Sequence, residues 1–97
     1  MELFYHDIPQ TDAEEWASKL KAFSLAAFHG SLTYAGYKAI PSAYLICDND
    51  KAISLERQLA MVKGCGVEIK VKHSASGHSP MLSKPHDVID LIKSMVE

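Results

Sequence analysis

Three consecutive hydropathy patterns constrain the fold of this chain more than any other feature. Residues 43–47 are uniformly apolar, which is typical of a strand buried on both faces. Residues 54–63 gather their apolar side chains on one face, as an amphipathic helix does. Residues 67–71 alternate Val, Ile and Val with Glu and Lys, which indicates a strand with one solvated face near a sheet edge. A strand, a short crossover helix and a second strand predict a right-handed parallel pair, so the expected fold class is α/β.

Helical patterns lie on both sides of this unit. Thr11 and Glu14 have the spacing of a capping box and predict a helix over residues 12–22. Residues 25–28 predict a short second helix that stops at glycine, and residues 31–42 form a connection. A last helix is predicted from Pro85, which suits a first helical turn. No internal repeat or linker divides the 97 residues, so we expect one small domain at most.

Composition excludes several classes of partner. The chain has 47% hydrophobic and 23% charged residues, the mix of a soluble globular protein. It has no cluster of Lys and Arg that could neutralise phosphates, so nucleic acid is not an expected partner. No apolar run approaches the roughly 20 residues that cross a bilayer, and the first residues do not resemble a signal peptide. We therefore expect a cytoplasmic protein with no membrane partner.

Two loops concentrate the reactive side chains. In parallel α/β sheets, ligands and reacting groups gather beyond the carboxyl ends of the strands. Here these loops are residues 48–51, with two aspartates, and residues 73–80, with two histidines. Adjacent strands lie roughly 5 Å apart, so an acid and a histidine on these ends would meet. Such a pair forms the orienting and proton-transferring parts of a nucleophilic triad, although the same residues are also common in solvated turns.

The residue context gives this pair a family likeness. Residues 40–53, Gln58 in the following helix, and residues 76–85 together resemble the carboxyl-terminal part of an α/β-hydrolase. The nearest group is its esterase and hydroxynitrile-lyase-like branch, in single-domain fungal and bacterial enzymes. Residues 3–9 and the helix after them resemble the end of that family's lid. The resemblance implies that about residues 1–35 form the lid end and return helix, and about residues 40–97 the strand–helix–strand–helix part of one partial hydrolase domain.

The resemblance also assigns roles to individual residues. The triad acid falls on Asp50, three residues before Ile53, with Asp48 as the second candidate. The triad base falls on His78. Acid before histidine agrees with the hydrolase order of Ser, Asp and His, but no serine here stands in the required Gly-x-Ser-x-Gly frame. The pair thus lacks a nucleophile within this sequence, and we expect little activity from the chain alone.

Other reactive residues have more ordinary interpretations. His73, His78 and His86 have no standard zinc spacing, so we predict no metal site. The resemblance implies no cofactor either. Cys47 and Cys65 have neither metal nor redox spacing, and Cys65, between two glycines, is interpreted as a residue of a helix-ending turn. Three aromatic residues at helical spacing are interpreted as packing residues, with a substrate-pocket role left open: Trp16, Phe23 and Phe28.

Two hypotheses of function follow. In the first, the chain is the carboxyl-terminal segment of a serine hydrolase, from a truncated or partial gene product, whose parent cleaves a small carboxylic ester. Hydroxynitrile lyase or dehalogenase chemistry is the alternative within the family, because fold does not fix function. In the second, the chain is a non-catalytic interaction module derived from a hydrolase. The apolar strand at residues 43–47 would have a neighbour on one side only, and its open edge predicts self-association or pairing.

Overall fold

A computed structural model describes residues 2–96 of the chain. This part of the chain contains two strands and six α-helices. In order they are α1 Glu2–Tyr5, α2 Gln10–Ser18, α3 Leu25–His29, β1 Ala43–Cys47, α4 Leu55–Gly64, β2 Lys70–Ser74, α5 Pro80–Ser83 and α6 Pro85–Val96, with a 3-10 helix at Gly36–Lys38 between α3 and β1. None of the helices in these residues is long and apolar enough to span a membrane.

The two strands form a parallel sheet, which confirms the predicted α/β class. The register pairs Ala43 with Lys70 at one end and Cys47 with Ser74 at the other. Helix α4 makes the crossover between them, as the amphipathic pattern predicts. Both strands therefore end at the same edge of the sheet, and their following loops start side by side.

Helix α4 has clear sequence signals at both ends. Its first turn is capped by Ser54, whose Oγ accepts the backbone N–H of Arg57 at 3.3 Å. Its last residue is Gly64, and Gly66 follows with a φ of 73°, a left-handed conformation that glycine adopts without the steric cost of a Cβ atom. The short crossover between the strands is thus fixed by local chemistry at each terminus.

The second strand begins three residues later than predicted. The alternating pattern covers residues 67–71, whereas β2 spans Lys70–Ser74. Pairing explains the shift, because β1 starts at Ala43 and the backbone N–H of Lys70 bonds to the carbonyl of Ser42 just before it. Alternation of side chains shows which face is apolar, but a strand exists only where a neighbouring backbone is available. His73 consequently lies within the strand and not in the loop after it.

The first predicted helix is also displaced. Helix α2 spans Gln10–Ser18, not residues 12–22, and the predicted capping box does not form. Pro9 precedes the helix and its carbonyl accepts the N–H of Ala13 at 2.9 Å, which places Thr11 inside the first turn. The helix therefore starts directly after Pro9, before the Thr11 capping signal.

Burial is concentrated at the carboxyl edge of the sheet. The buried residues include Ala13, Ile46, Cys47 and Pro80 among the apolar ones and Gln58, Ser74, Ser76 and Ser79 among the polar ones. Residues 18–34 are exposed throughout. The prediction that Trp16, Phe23 and Phe28 pack into a core is wrong for this chain, since all three side chains are exposed and Phe23 and Phe28 contact each other edge to face. Nothing in residues 2–96 covers this segment.

Candidate functional site

An acid–histidine pair lies where the two loops meet. His78 Nδ1 donates a hydrogen bond to Asp50 Oδ2 at 2.9 Å. The Asp50 side chain is 5% exposed and that of His78 is 32% exposed, so the carboxylate is enclosed while part of the imidazole reaches solvent. The two residues that the sequence singled out are therefore brought together.

The loop after β1 fixes the orientation of Asp50. The other carboxylate oxygen, Oδ1, accepts the backbone N–H groups of Ala52 at 2.7 Å and Ile53 at 3.0 Å. An aspartate that binds the backbone two and three residues ahead closes an Asx-type turn on itself. With Oδ1 held by the backbone, Oδ2 is left to face His78.

The Gln58 side chain binds both ends of the loop that carries Asp50. The side chain of Gln58, 1% exposed, accepts the N–H of Cys47 at 2.8 Å and donates to the carbonyls of Cys47 at 2.8 Å and Ile53 at 3.0 Å. These two residues are the last of β1 and the last before the cap of α4. The buried amide thus joins the beginning and the end of the loop that carries Asp50, and satisfies backbone groups that burial would otherwise leave unpaired.

The electrostatics of Asp50 follow from these contacts. Burial acts to raise its pKa, but the hydrogen bonds from the N–H of Ile53, from His78 and from the N–H of Ala52 outweigh it. The pKa of Asp50 is therefore lowered below its ordinary value, and the group is an anion at neutral pH. A fixed anion beside an imidazole favours the positive charge that the ring acquires when it takes up a proton.

The hydrogen bond also sets the tautomer of His78. Because Nδ1 carries the proton that Asp50 accepts, Nε2 of the neutral ring has a free lone pair. The phenyl ring of Phe4 packs against the imidazole, with ring centroids 5.1 Å apart and planes inclined by 43°. A ring so held can remove a proton from a hydroxyl placed at Nε2 and return it later.

The second candidate acid forms a separate pair. Asp48 Oδ1 lies 2.7 Å from His73 Nδ1, and the two side chains are 36% and 51% exposed. Asp48 is therefore directed to His73, not to His78. Among residues 2–96, no three His, Cys, Asp or Glu side chains are grouped as metal ligands, and His73 and His78 each face a different aspartate.

Residues near the amino terminus support the histidine loop, and sequence reasoning missed them. Asp7 Oδ2 accepts the backbone N–H of Gly77 at 2.6 Å, and the Phe4 carbonyl accepts the hydroxyl of Ser79 at 2.9 Å. Both contacts join residues about 70 positions apart, so no local spacing indicates them. The sequence marks the histidine loop itself, through its two histidines and its position after the second strand, but not the residues that hold it.

Comparison with known proteins gives consistent matches. A model of the alpha/beta hydrolase family matches residues 1–91. Methylesterase 9 of Arabidopsis thaliana is 33% identical over 67 residues, 69% of this chain and 26% of that protein. Norfluorocurarine synthase 2 of Strychnos nux-vomica is 33% identical over 89 residues, 92% of this chain and 30% of that protein. Probable hydrolase R7 of a Phoma species is 31% identical over 94 residues, 93% of this chain and 38% of that protein.

The chain thus spans between about a quarter and two fifths of the length of these relatives. No solved structure matches it.

Proposed function

Since the chain belongs to the alpha/beta hydrolase family, we propose that it supplies the acid and the base of a hydrolase that acts on small carboxylic esters. Asp50 is the acid and His78 is the base. The observation that carries the proposal is the 2.9 Å hydrogen bond between His78 Nδ1 and the enclosed carboxylate of Asp50. The names of relatives such as methylesterase 9 support an ester as the substrate class.

The nucleophile in this proposal is a serine of a segment other than residues 1–97. None of the serines of the sequence stands in a Gly-x-Ser-x-Gly frame. Without that serine, and without donors for an oxyanion, the pair has nothing to activate, so the chain alone is expected to be inactive. Residues 1–35 would contribute the end of a lid in the assembled enzyme, which fits the largely exposed surface of residues 2–35.

The reaction would proceed as two acyl transfers. His78 Nε2 takes the proton of the serine hydroxyl as its oxygen bonds to the ester carbonyl carbon, and Asp50 stabilises the resulting imidazolium. The proton then passes from Nε2 to the leaving alcohol as the carbon–oxygen ester bond breaks. A water molecule repeats both steps on the acyl-enzyme and releases the carboxylic acid, which regenerates the serine.

Complementation tests the proposal. Residues 1–97 would be produced together with an amino-terminal α/β-hydrolase segment that carries a Gly-x-Ser-x-Gly elbow, and p-nitrophenyl acetate hydrolysis would be measured. We expect activity that falls by about 10³-fold or more in His78→Ala, because the base is lost. His73→Ala is the matched control, with an exposed histidine 2.7 Å from its own aspartate, and should keep the activity.

Activity that survives His78→Ala would show that the assignment is wrong. Cyanide release from a cyanohydrin, or halide release from a haloalkane, in place of ester hydrolysis would favour the lyase or dehalogenase alternative.

A second candidate is the interaction module. The described residues expose 7270 Å², against about 5500 Å² for a compact monomer of 10.7 kDa. Exposed apolar side chains are prominent in this surface, among them Phe23, Phe28 and Leu32. Size-exclusion chromatography distinguishes the hydrolase segment from the interaction module. Self-association of the chain that persists after the complementing segment is added would favour pairing through the open sheet edge. A chain that stays monomeric by itself would argue against the interaction module.

A further inference from the structure

The segment before α2 makes most of its long-range polar contacts at the acid–histidine site. Asp7 and Phe4 each accept a hydrogen bond from the histidine loop, from the Gly77 N–H at 2.6 Å and from the Ser79 hydroxyl at 2.9 Å. These two donors are the immediate neighbours of His78 in the sequence. The loop is therefore attached on both sides of the base to one short segment, residues 2–7, which we call the amino-terminal clasp.

The Ser79 contact replaces a local one. Ser79 precedes α5, where a serine hydroxyl ordinarily caps the first turn of the helix. Here it makes no such cap, and its Oγ donates instead to the carbonyl of Phe4. The Ser79 hydroxyl thus binds the amino-terminal clasp and does not cap α5.

Packing at Gly77 leaves no room between loop and clasp. A Cβ atom at this position would lie 2.9 Å from both His6 Nδ1 and Asp7 Oδ1, closer than real Cβ atoms approach other atoms. These same two atoms and the Oγ of Ser76 are the buried side-chain polar atoms without a hydrogen-bond partner in residues 2–96. Uncompensated polar burial is costly, and in native proteins it is often found at functional sites.

The clasp also reaches the imidazole itself and the acid loop. The Phe4 ring packs against His78 with centroids 5.1 Å apart. Glu2 pairs with Lys51, the residue after Asp50, but this ion pair is exposed and contributes little. The contacts at Asp7 and Phe4 are the ones that restrain the base.

We propose that the amino-terminal clasp positions His78 against Asp50, with Asp7 as the positioning residue. This inference deepens the proposed function and rests on it for its effect on catalysis. Asp7 does not reach the imidazole. It fixes the backbone at Gly77, one residue before the base, through a short hydrogen bond with a charged acceptor, a stronger class of bond than one between neutral groups.

The first test measures His78 in the chain alone, without any activity. ¹H–¹⁵N spectra of the imidazole report the Nδ1–H tautomer and the rate at which that proton exchanges with water. We expect Asp7→Ala to accelerate the exchange at least about tenfold, because the hydrogen bond to Asp50 opens more often. Asp7→Asn, whose amide oxygen can still accept the Gly77 N–H, should restore most of the protection, and Asp12→Asn on the exposed face of α2 should change nothing.

The second test uses the complemented hydrolase. Asp7→Ala should lower kcat by roughly ten- to hundredfold with little change in KM, since a displacement of about 1 Å in a catalytic group has effects of this size. Ser79→Ala removes the other attachment without a change in packing volume and should act in the same direction.

The two tests separate the clasp from the proposed function. Faster Nδ1–H exchange in Asp7→Ala with no ester hydrolysis in the complemented wild type would support the clasp and contradict the hydrolase. Exchange and kcat that are both unchanged in Asp7→Ala, in an active wild type, would overturn the clasp alone. Equal losses in Asp7→Ala and Asp7→Asn, with no change at the imidazole, would also overturn it, because they would indicate a general loss of stability.

Discussion

Two acid–histidine pairs stand at the same edge of one small sheet, and they differ in what surrounds them. The Nδ1–carboxylate distances are similar, 2.9 Å for His78 and Asp50 and 2.7 Å for His73 and Asp48. The Asp50 carboxylate is 5% exposed and the Asp48 carboxylate 36% exposed. Distance alone therefore does not distinguish a candidate catalytic pair from a surface contact.

The difference lies in the support of the acid. Asp50 accepts two backbone N–H groups on the oxygen that does not face the histidine, and Gln58 joins the ends of its loop. The side chain of Asp48 has one described hydrogen-bond partner, His73, whose ring is half exposed. A pair held in one geometry before the reaction begins is worth more to catalysis than one that solvent can rearrange.

The largest expected effect separates the two acids in the complemented hydrolase. Asp50→Asn should lower kcat for p-nitrophenyl acetate by roughly 10²- to 10⁴-fold, because an amide at this position favours the wrong tautomer of His78. Asp48→Asn is the matched control, an equal change on the same loop, and should leave kcat close to that of the wild type. Equal losses in the two variants would remove the distinction between the pairs.

The next effect concerns the loop beneath Asp50. Gln58→Leu leaves the N–H of Cys47 and the carbonyl of Ile53 without a hydrogen-bond partner, while the Cys47 carbonyl keeps the N–H of Asp50 at 3.3 Å. Each unsatisfied group costs about 1–3 kcal/mol, and relaxation of the loop should hold the total near 2–4 kcal/mol. The free energy of opening at the Cys47 N–H, measured by amide hydrogen exchange, would report this loss of stability.

The control for Gln58→Leu is Asn49→Ala, which removes a single exposed hydrogen bond to the Ala75 carbonyl in the loop that follows β2. It should cost about 0.5–1.5 kcal/mol. If Cys47 N–H kept full protection in Gln58→Leu, the buried amide would not be what holds the Asp50 loop.

Much of the site is predictable from sequence because it depends on adjacent strands. Two parallel strands end at one edge, so an acid after β1 and a histidine after β2 meet whatever the details of the helices. The pattern does not decide between Asp48 and Asp50, which lie two residues apart. The structure separates them through the turn that Asp50 closes with Ala52 and Ile53.

Other features depend on backbone partners that no local pattern contains. The start of β2 at Lys70 follows from where β1 begins, and the attachment of Gly77 to Asp7 joins distant parts of the chain. The packing predicted for Phe23 and Phe28 fails because these side chains are about three-quarters exposed and contact each other edge to face. Periodicity identifies an apolar face, but it does not identify what covers that face.

A third prediction concerns stability in acid. The pKa of Asp50 is lowered in the folded chain, so the unfolded chain binds its proton more tightly. The ionised carboxylate therefore stabilises the fold at pH values above the unfolded pKa of about 4, and this contribution is lost as the pH falls through the lower folded value. We expect the difference in urea midpoint between wild type and Asp50→Asn to shrink as the pH falls below about 4.

Asn49→Ala serves as the control for this pH dependence, since it changes no ionisable group and its effect should not vary with pH. A difference between wild type and Asp50→Asn that stayed constant down to pH 2 would contradict the stabilising role of the ionised carboxylate.

The smallest expected effect is the coupling within the exposed pair. A double-mutant cycle of Asp48→Asn and His73→Gln should give about 0.2–1 kcal/mol, reduced further by salt, because solvent screens groups exposed to this degree. The same cycle at Asp50 and His78 should give a larger coupling that salt changes less, since the carboxylate is enclosed. If the two couplings and their salt dependence were equal, the enclosure of the Asp50 carboxylate would not strengthen its interaction with His78. Any catalytic role of this pair would then depend only on where it lies relative to the substrate.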